Sequence, residues 1–287
     1  MCPDGSVQIS CVGVIRSLAV LVKANPLAPG THVDTPMAAD TLLKLRAGQE
    51  KDTLLPALLE EAQKLAGTIG FVVSAVRPDA NFAYVALASY INVKRLTRRV
   101  FMALVRVALY LMGTESLTLT LRQESPGKSE PMRAFSDSSH GNGPEGTSYG
   151  GFVVLNRGGG ALTWSTMAPR SGDDSPGAAE LRMLTNAYKR VLGIRSLLAD
   201  LALGLEEAGA TPLWTDSKSA AQGQACEKVD KNSRWMASRY AMVRWGIECG
   251  TVELLRTTGP GNCADIFTKA LTGEAFARHR SAVLGLD

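Results

Sequence analysis

Four acidic residues carry the chemistry this sequence could perform: Asp137, Glu180, Asp216 and Asp265. Asp137 ends the strand-like run 132–136, and Asp216 follows the short apolar run 211–215. Glu180 stands in the first turn of a long helical pattern. Asp265 comes three residues after Asn262, where a carboxylate supports a helix N-cap. Each has a plain local use when taken singly: a turn aspartate at 137, a dipole-favoured acid at 180, an N-cap at 216. Taken together, two strand ends and two helix starts can converge at one edge of a sheet. Four carboxylates gathered there repel one another, and hard divalent cations with oxygen ligands remove that repulsion. Two such ions about 3.5–4 Å apart suit in-line phosphodiester displacement, one activating water and the other stabilising the leaving oxygen. No nucleophilic side chain is then required, and the sequence offers no convincing Ser-His-Asp or Cys-His arrangement.

The elements that must hold these acids are legible around them. Runs 150–156 and 161–166 alternate as strands, joined by the turn-forming Arg157-Gly-Gly-Gly160. A helix is predicted over 178–203, where Glu180, Leu184, Ala187, Val191, Ile194 and Leu198 fall on one stripe at helical spacing. Glu180 heads that stripe, so an unpaired carboxylate would be costly there. Further helices are expected over 217–224 and 232–249, a last strand over 251–256, and a helical tail from about Ala264. The order β-β-β-α-β-α-α-β-α describes a mixed sheet with helices packed on it.

Upstream, the pattern is mainly helical, clearest over 53–69 and 98–112, with a basic cluster at Lys94, Arg95, Arg98 and Arg99. The polar run 123–131, with two prolines and a glycine, reads as a linker. The expected organisation is a helical segment over 1–122, a linker over 123–131 and an α/β domain over 132–287.

A net charge of +4 with 45% hydrophobic residues describes an ordinary globular chain that tolerates a polyanionic partner without requiring one. The five scattered cysteines have no metal-ligand spacing and suit reduced thiols inside a cell. No uncharged apolar stretch reaches the roughly 18 residues of a membrane span. The run 12–22 is interrupted by Arg16 and lacks the order of a signal peptide. The expectation is a soluble intracellular protein, cytoplasmic or nuclear, with no membrane partner.

Phe135-Ser-Asp137, Ala179-Glu180-Leu181, Thr215-Asp216-Ser-Lys-Ser-Ala220 and Ala264-Asp265-Ile-Phe-Thr-Lys-Ala270 together resemble the ribonuclease H domain of copia-type retrotransposon polyproteins. The last motif is the most specific, and Gly159-Gly160-Ala-Leu-Thr-Trp-Ser165 is similar to the family's third strand. Upstream, Leu65-Ala-Gly-Thr-Ile-Gly70, Arg77-Pro-Asp79-Ala-Asn-Phe-Ala-Tyr84 and Val107-Ala-Leu-Tyr-Leu-Met-Gly-Thr114 are similar to the segment between polymerase and ribonuclease H, and His32-Val-Asp-Thr-Pro36 is similar to its start. The resemblance implies a ribonuclease H-like mixed five-stranded sheet with helices on both faces, preceded by a C-terminal remnant of the reverse transcriptase. It also implies hydrolysis of the RNA strand of an RNA–DNA hybrid, with two Mg2+ (or Mn2+) held by Asp137, Glu180, Asp216 and Asp265. A separate polymerase module would be a partner. Ser138, Asn142 and Ser217 lie beside the acids and are candidates for nucleic-acid contact.

The sequence departs from that family in three places. It has no Tyr-x-Asp-Asp motif, so no DNA synthesis is expected. Ala178 replaces a second glutamate, and Arg234-Trp235 replaces a Lys-His pair. Two other readings stay open: a catalytically silent remnant that binds nucleic acid, and another nuclease on the same fold.

Overall fold

The computed structural model describes residues 2, 5–22, 33–47, 56–122, 132–139, 141, 148–168, 175–201, 209–218 and 236–286. The expected linker over 123–131 lies outside these residues, as do Asn142, Arg234, Trp235 and most of the expected helix over 217–224.

The N-terminal segment contains strand β1 (Val7–Ile9), helices α1 (Val12–Val22), α2 (Thr41–Ala47), α3 (Leu59–Ala75), α4 (Asn81–Ala88) and α5 (Arg98–Gly113), and strand β2 (Leu119–Leu121). β1 and β2 pair antiparallel. The run 12–22, tested above as a membrane candidate, is an amphipathic helix that buries Ile15, Leu18 and Val22. No helix among the described residues is long and apolar enough to cross a membrane. α3 runs further toward the C-terminus than the periodicity over 53–69 predicted. Pro56 opens a 3-10 turn ahead of it, and Pro78 lies just beyond its end. α5 starts where expected because the Thr97 side chain caps it, accepting from the Val100 amide at 3.3 Å.

The second half is built on strands β3 (Met132–Ser139), β4 (Tyr149–Asn156), β5 (Ala161–Met167), β6 (Thr211–Thr215) and β7 (Val252–Arg256). Helices α6 (Pro176–Asp200), α7 (Ala237–Glu248) and α8 (Gly273–Leu284) accompany them. The strands form one sheet in the order β5-β4-β3-β6-β7. β3, β4 and β5 are antiparallel neighbours, whereas β6 lies parallel to both β3 and β7. This is the mixed five-stranded sheet expected from the sequence.

Alternate residues of the central strands enter two different cores, as the two-residue strand period demands. Met132, Ala134, Phe152 and Val154 pack with Leu184, Ala187, Tyr188 and Val191 of α6 and with Val243 of α7. Phe135, Tyr149, Val153 and Leu155 enter the other core, which also holds Ile15, Leu65, Leu104 and Tyr110 from the N-terminal helices and Phe276 from α8. The N-terminal helices therefore cover one face of the sheet and continue its core. Each large side chain buried there contributes roughly 1.5–3 kcal/mol relative to exposure.

Arg77, fully buried, is the pin of the helical half. Its guanidinium donates to both Asp79 carboxylate oxygens, at 2.9 and 2.8 Å, and to Thr114 beyond the end of α5. The Tyr110 hydroxyl donates to Asp79 as well, and the Tyr110 ring meets Phe276 of α8 edge-on, with centroids 5.8 Å apart. The Arg-Pro-Asp run noted in the sequence thus ties helices α3 and α5 to the C-terminal helix.

Candidate metal centre

β3 supplies Asp137, but not from a strand end. The strand runs two residues past the expected boundary, because Ser138 and Ser139 continue the ladder opposite Gly150 and Tyr149. Asp216 follows β6 directly. The parallel register pairs Ser136 with Thr215, so Asp137 within β3 and Asp216 just past β6 lie side by side. Glu180 comes from α6, whose N-cap is Ser175 and whose first residue is Pro176. That start precedes the predicted one, so Glu180 stands in the second turn of the helix.

Asp265 sits in a short 3-10 turn, Cys263–Phe267, which Asn262 caps by accepting from the Ala264 amide at 3.2 Å. The Asn262 amide also donates to the Ser136 carbonyl at 3.0 Å, stitching this turn to β3. Thr166 of β5 fixes the far end of the turn by donating to the Phe267 carbonyl at 2.8 Å.

Two glycines admit these elements to the sheet. A Cβ on Gly150 would lie 2.3 Å from the Met183 sulfur of α6, and one on Gly151 would lie 2.4 Å from the Phe267 Cβ. Glu180 and Asp265 therefore approach β3 closely from opposite faces.

Asp137, Glu180 and Asp216 each place one carboxylate oxygen within 4.8 Å of the others. Asp137 is buried, and Glu180 Oε2 is buried with no hydrogen-bond partner among the described residues. Burial pushes the Glu180 carboxyl up to about 8, and the charges of Asp137 and Asp216 add to the effect. Asp216 is raised for the same two reasons, burial first and then Asp137. Asp265 lies outside this trio but beside Asp137; burial and the Asp137 charge raise it to about 7. Three close carboxylates, an orphaned buried oxygen among them, form a hard oxygen set that a divalent cation fits.

Two residues that the motif reading quoted without a role complete the arrangement. The Thr268 hydroxyl donates to Asp137 Oδ2. The Lys269 ammonium bridges two acids, 3.3 Å from Asp137 Oδ2 and 2.9 Å from Asp265 Oδ1. The signal was present in the spacing, since Lys269 lies four residues after Asp265 and such pairs face each other on a helical turn.

The nucleic-acid candidates are less sharply placed. Ser138 follows Asp137 and lies near enough to Glu180 to oppose part of its shift. Ser217 donates its backbone amide to the Thr215 hydroxyl at 3.2 Å. The basic cluster at the start of α5 has Lys94, Arg95, Arg98 and Arg99 exposed.

Over 269 residues, 93% of its length, the chain is 24% identical to the retrovirus-related Pol polyprotein from transposon RE1 of Arabidopsis thaliana. The chain is similar to a transposon Pol polyprotein. It spans 17% of that relative's length. No protein-family model matches the chain. Among solved structures, it is similar to the N-terminal ribonuclease H domain of a Mycobacterium tuberculosis protein, with 15% identity and a TM-score of 0.35, covering 52% of this chain and 94% of that one. It is similar to LC11 ribonuclease H1 in complex with an RNA/DNA hybrid, with 17% identity and a TM-score of 0.34, over 48% and 93% of the two chains. It is also similar to a foamy viral protease–reverse transcriptase in complex with an RNA/DNA hybrid, with 15% identity and a TM-score of 0.41, over 75% of this chain and 27% of that one.

Proposed function

We propose that this chain is a divalent-metal-dependent ribonuclease H, of copia-type retrotransposon origin, that hydrolyses the RNA strand of RNA–DNA hybrids and has no polymerase activity. The observation that carries this reading is the convergence of Asp137, Glu180 and Asp216, with a buried Glu180 oxygen left without a partner. Asp137 is central, touching the trio on one side and the Asp265–Lys269 pair on the other. In the proposed assignment Asp137 would help hold two Mg2+ or Mn2+ ions, one with Glu180 and Asp216 and the other with Asp265. Bound ions supply activated water and neutralise the departing 3′ oxygen.

The chain's own part is to fix the four carboxylates on strand β3, helix α6, the residue after β6 and a capped turn, where they would hold the ions that orient the phosphate. The products are a 5′ phosphate and a 3′ hydroxyl. Ser138, Asn142 and Ser217 are proposed to read 2′-hydroxyls across the wide minor groove of the hybrid. Lys218, Lys228, Lys231, Arg234 and Arg239 are proposed to track phosphates, which makes binding weaken as salt rises. A separate polymerase module is the proposed partner that generates the hybrid.

The test is cleavage of four labelled substrates, namely hybrid, duplex DNA, single-stranded RNA and single-stranded DNA, by wild type and Asp216→Asn, with magnesium and with chelator. The reading expects cleavage of the hybrid's RNA strand alone, in magnesium alone, by wild type. Equal activity of the two proteins refutes the assigned site, and a preference for duplex DNA refutes the substrate.

A further inference from the structure

The Asp137–Asp265 side of the centre already holds a cation. Lys269 Nζ lies 3.3 Å from Asp137 Oδ2 and 2.9 Å from Asp265 Oδ1, so one ammonium spans the gap between the two acids. Asp137 Oδ2 accepts from the Thr268 hydroxyl too, so both interactions fall on a single oxygen of that carboxylate. The trio side differs. There Glu180 Oε2 is buried and unpartnered among the described residues, and the Lys269 charge reaches Asp216 only at longer range, after burial and Asp137 in its effect. The two halves of one acidic centre are therefore unequal among the described residues, one bridged by a close ammonium and the other holding an unpartnered carboxylate oxygen.

Lys269 has the means to leave. Its side chain is 36% exposed, whereas that of Asp137 is 2% exposed, so the ammonium can swing to water while the carboxylate stays in place. A lysine suits this role because its charge is a compact point on a flexible stem, unlike the planar fork of an arginine.

Accepting Asp137, Glu180 and Asp216 as a cation site, we propose that Lys269 is a resident counter-ion at the second metal position. The resting protein then takes up one divalent ion, on Asp137, Glu180 and Asp216. Asp137 and Asp265 would be free to hold a second ion only once Lys269 swings away. The incoming polyanionic substrate favours that exchange, because its phosphate offers the displaced ammonium a new partner. Lys269 is thus a positioning residue that acts through metal occupancy and not on the scissile bond.

The experiment is a titration of the full chain with Mn2+, counting bound ions by electron paramagnetic resonance and calorimetry in the absence of nucleic acid. Wild type binds one ion, with the second at least about tenfold weaker. Lys269→Met tightens the second ion by about tenfold or more, since a like charge within a few ångströms is removed from a partly exposed site. Lys269→Arg keeps the single-ion pattern. Should Lys269→Met fail to fold by circular dichroism, Asp265→Asn decides. The first ion then stays within about twofold of wild type, and a tenfold loss of that ion overturns the proposal. Two ions of equal affinity in wild type overturn it as well, as does a folded Lys269→Met that binds like wild type. If no Mn2+ binds at all, the cation site fails and this inference with it. If the expected Mn2+ pattern appears but no hybrid is cleaved, the counter-ion role stands and the proposed nuclease activity falls.

Discussion

Asp137 of β3 is paired across the antiparallel ladder with Gly151 of β4, and the missing side chain at Gly151 is what admits the turn that carries Asp265. A Cβ there would stand 2.4 Å from that of Phe267, a distance that atoms of two packed residues do not tolerate. Gly151→Val should therefore push the 263–269 turn off the sheet. The expected result is a chain that keeps its sheet but loses hybrid cleavage by at least about tenfold. Overpacking should also cost about 1–3 kcal/mol in urea denaturation. Unchanged cleavage in a folded Gly151→Val would show that the turn's placement is unimportant.

The metal-free centre should make stability fall as pH rises. Glu180 is raised from its ordinary 4.5 to about 8 by burial and by the neighbouring aspartate charges. The folded state therefore holds a proton that the unfolded state releases between those values, and stability declines across that window. Denaturation in chelator from pH 4.5 to 8 checks this, and Glu180→Gln should flatten the slope. Added magnesium should restore stability at pH 8 in wild type and restore less in the variant.

His279 of α8 works in the opposite direction. It is buried, and its imidazole is lowered to about 4 by burial first and by nearby Arg278 and Lys269. Stability from this group is present above its ordinary 6.5 and is lost as pH falls toward 4. His279→Phe should remove that acid limb, read as a smaller drop in the unfolding midpoint between pH 6.5 and 4.

The ion pair in the helical half should be far more costly to break than to leave alone. Asp79 and Arg77 are both fully buried, so Asp79→Asn strands a guanidinium away from water. A loss of about 3–5 kcal/mol is expected in chemical denaturation. Because Tyr110 and Phe276 link this network to α8, the loss should appear in one cooperative transition rather than in the N-terminal half alone.

How much of this was legible in the sequence depends on whether a contact is local. The α6 stripe was readable because helical spacing alone puts Leu184, Ala187 and Val191 on one face, and all three are buried. Glu180 at its head was readable for the same reason. The boundary of β3 was not, because Asp137 has the composition of a turn residue and only its pairing with Gly151 keeps it in the ladder. Helices α1, α2 and α4 are short, and α4 is apolar around much of its circumference, so periodicity says little there. What no periodicity could give is the partner of each face. That Ile15 and Leu104 share a core with Val153 and Leu155 is a property of packing between distant segments. Lys269 shows the same limit at the site itself: its spacing from Asp265 was visible, but its reach to Asp137 was not.

The shared core predicts the behaviour of an isolated C-terminal half. Residues 132–287 alone would expose Phe135, Val153, Leu155 and Phe276, which now pack against the N-terminal helices. That fragment is expected to bind hydrophobic dye and aggregate, whereas the full chain stays monodisperse in the same buffer. A stable, dye-free fragment would show the two halves to be independent.

The most direct test is the rate at which the full chain cuts the RNA strand of a hybrid in magnesium, measured for wild type beside Asp137→Asn. Asp137 is the acid common to both sides of the centre, so its loss should lower the rate by about a thousandfold or more, equivalent to about 4 kcal/mol of barrier. The same chelator-sensitive rate in both proteins would contradict the account, because the metal would then be held somewhere other than on these carboxylates.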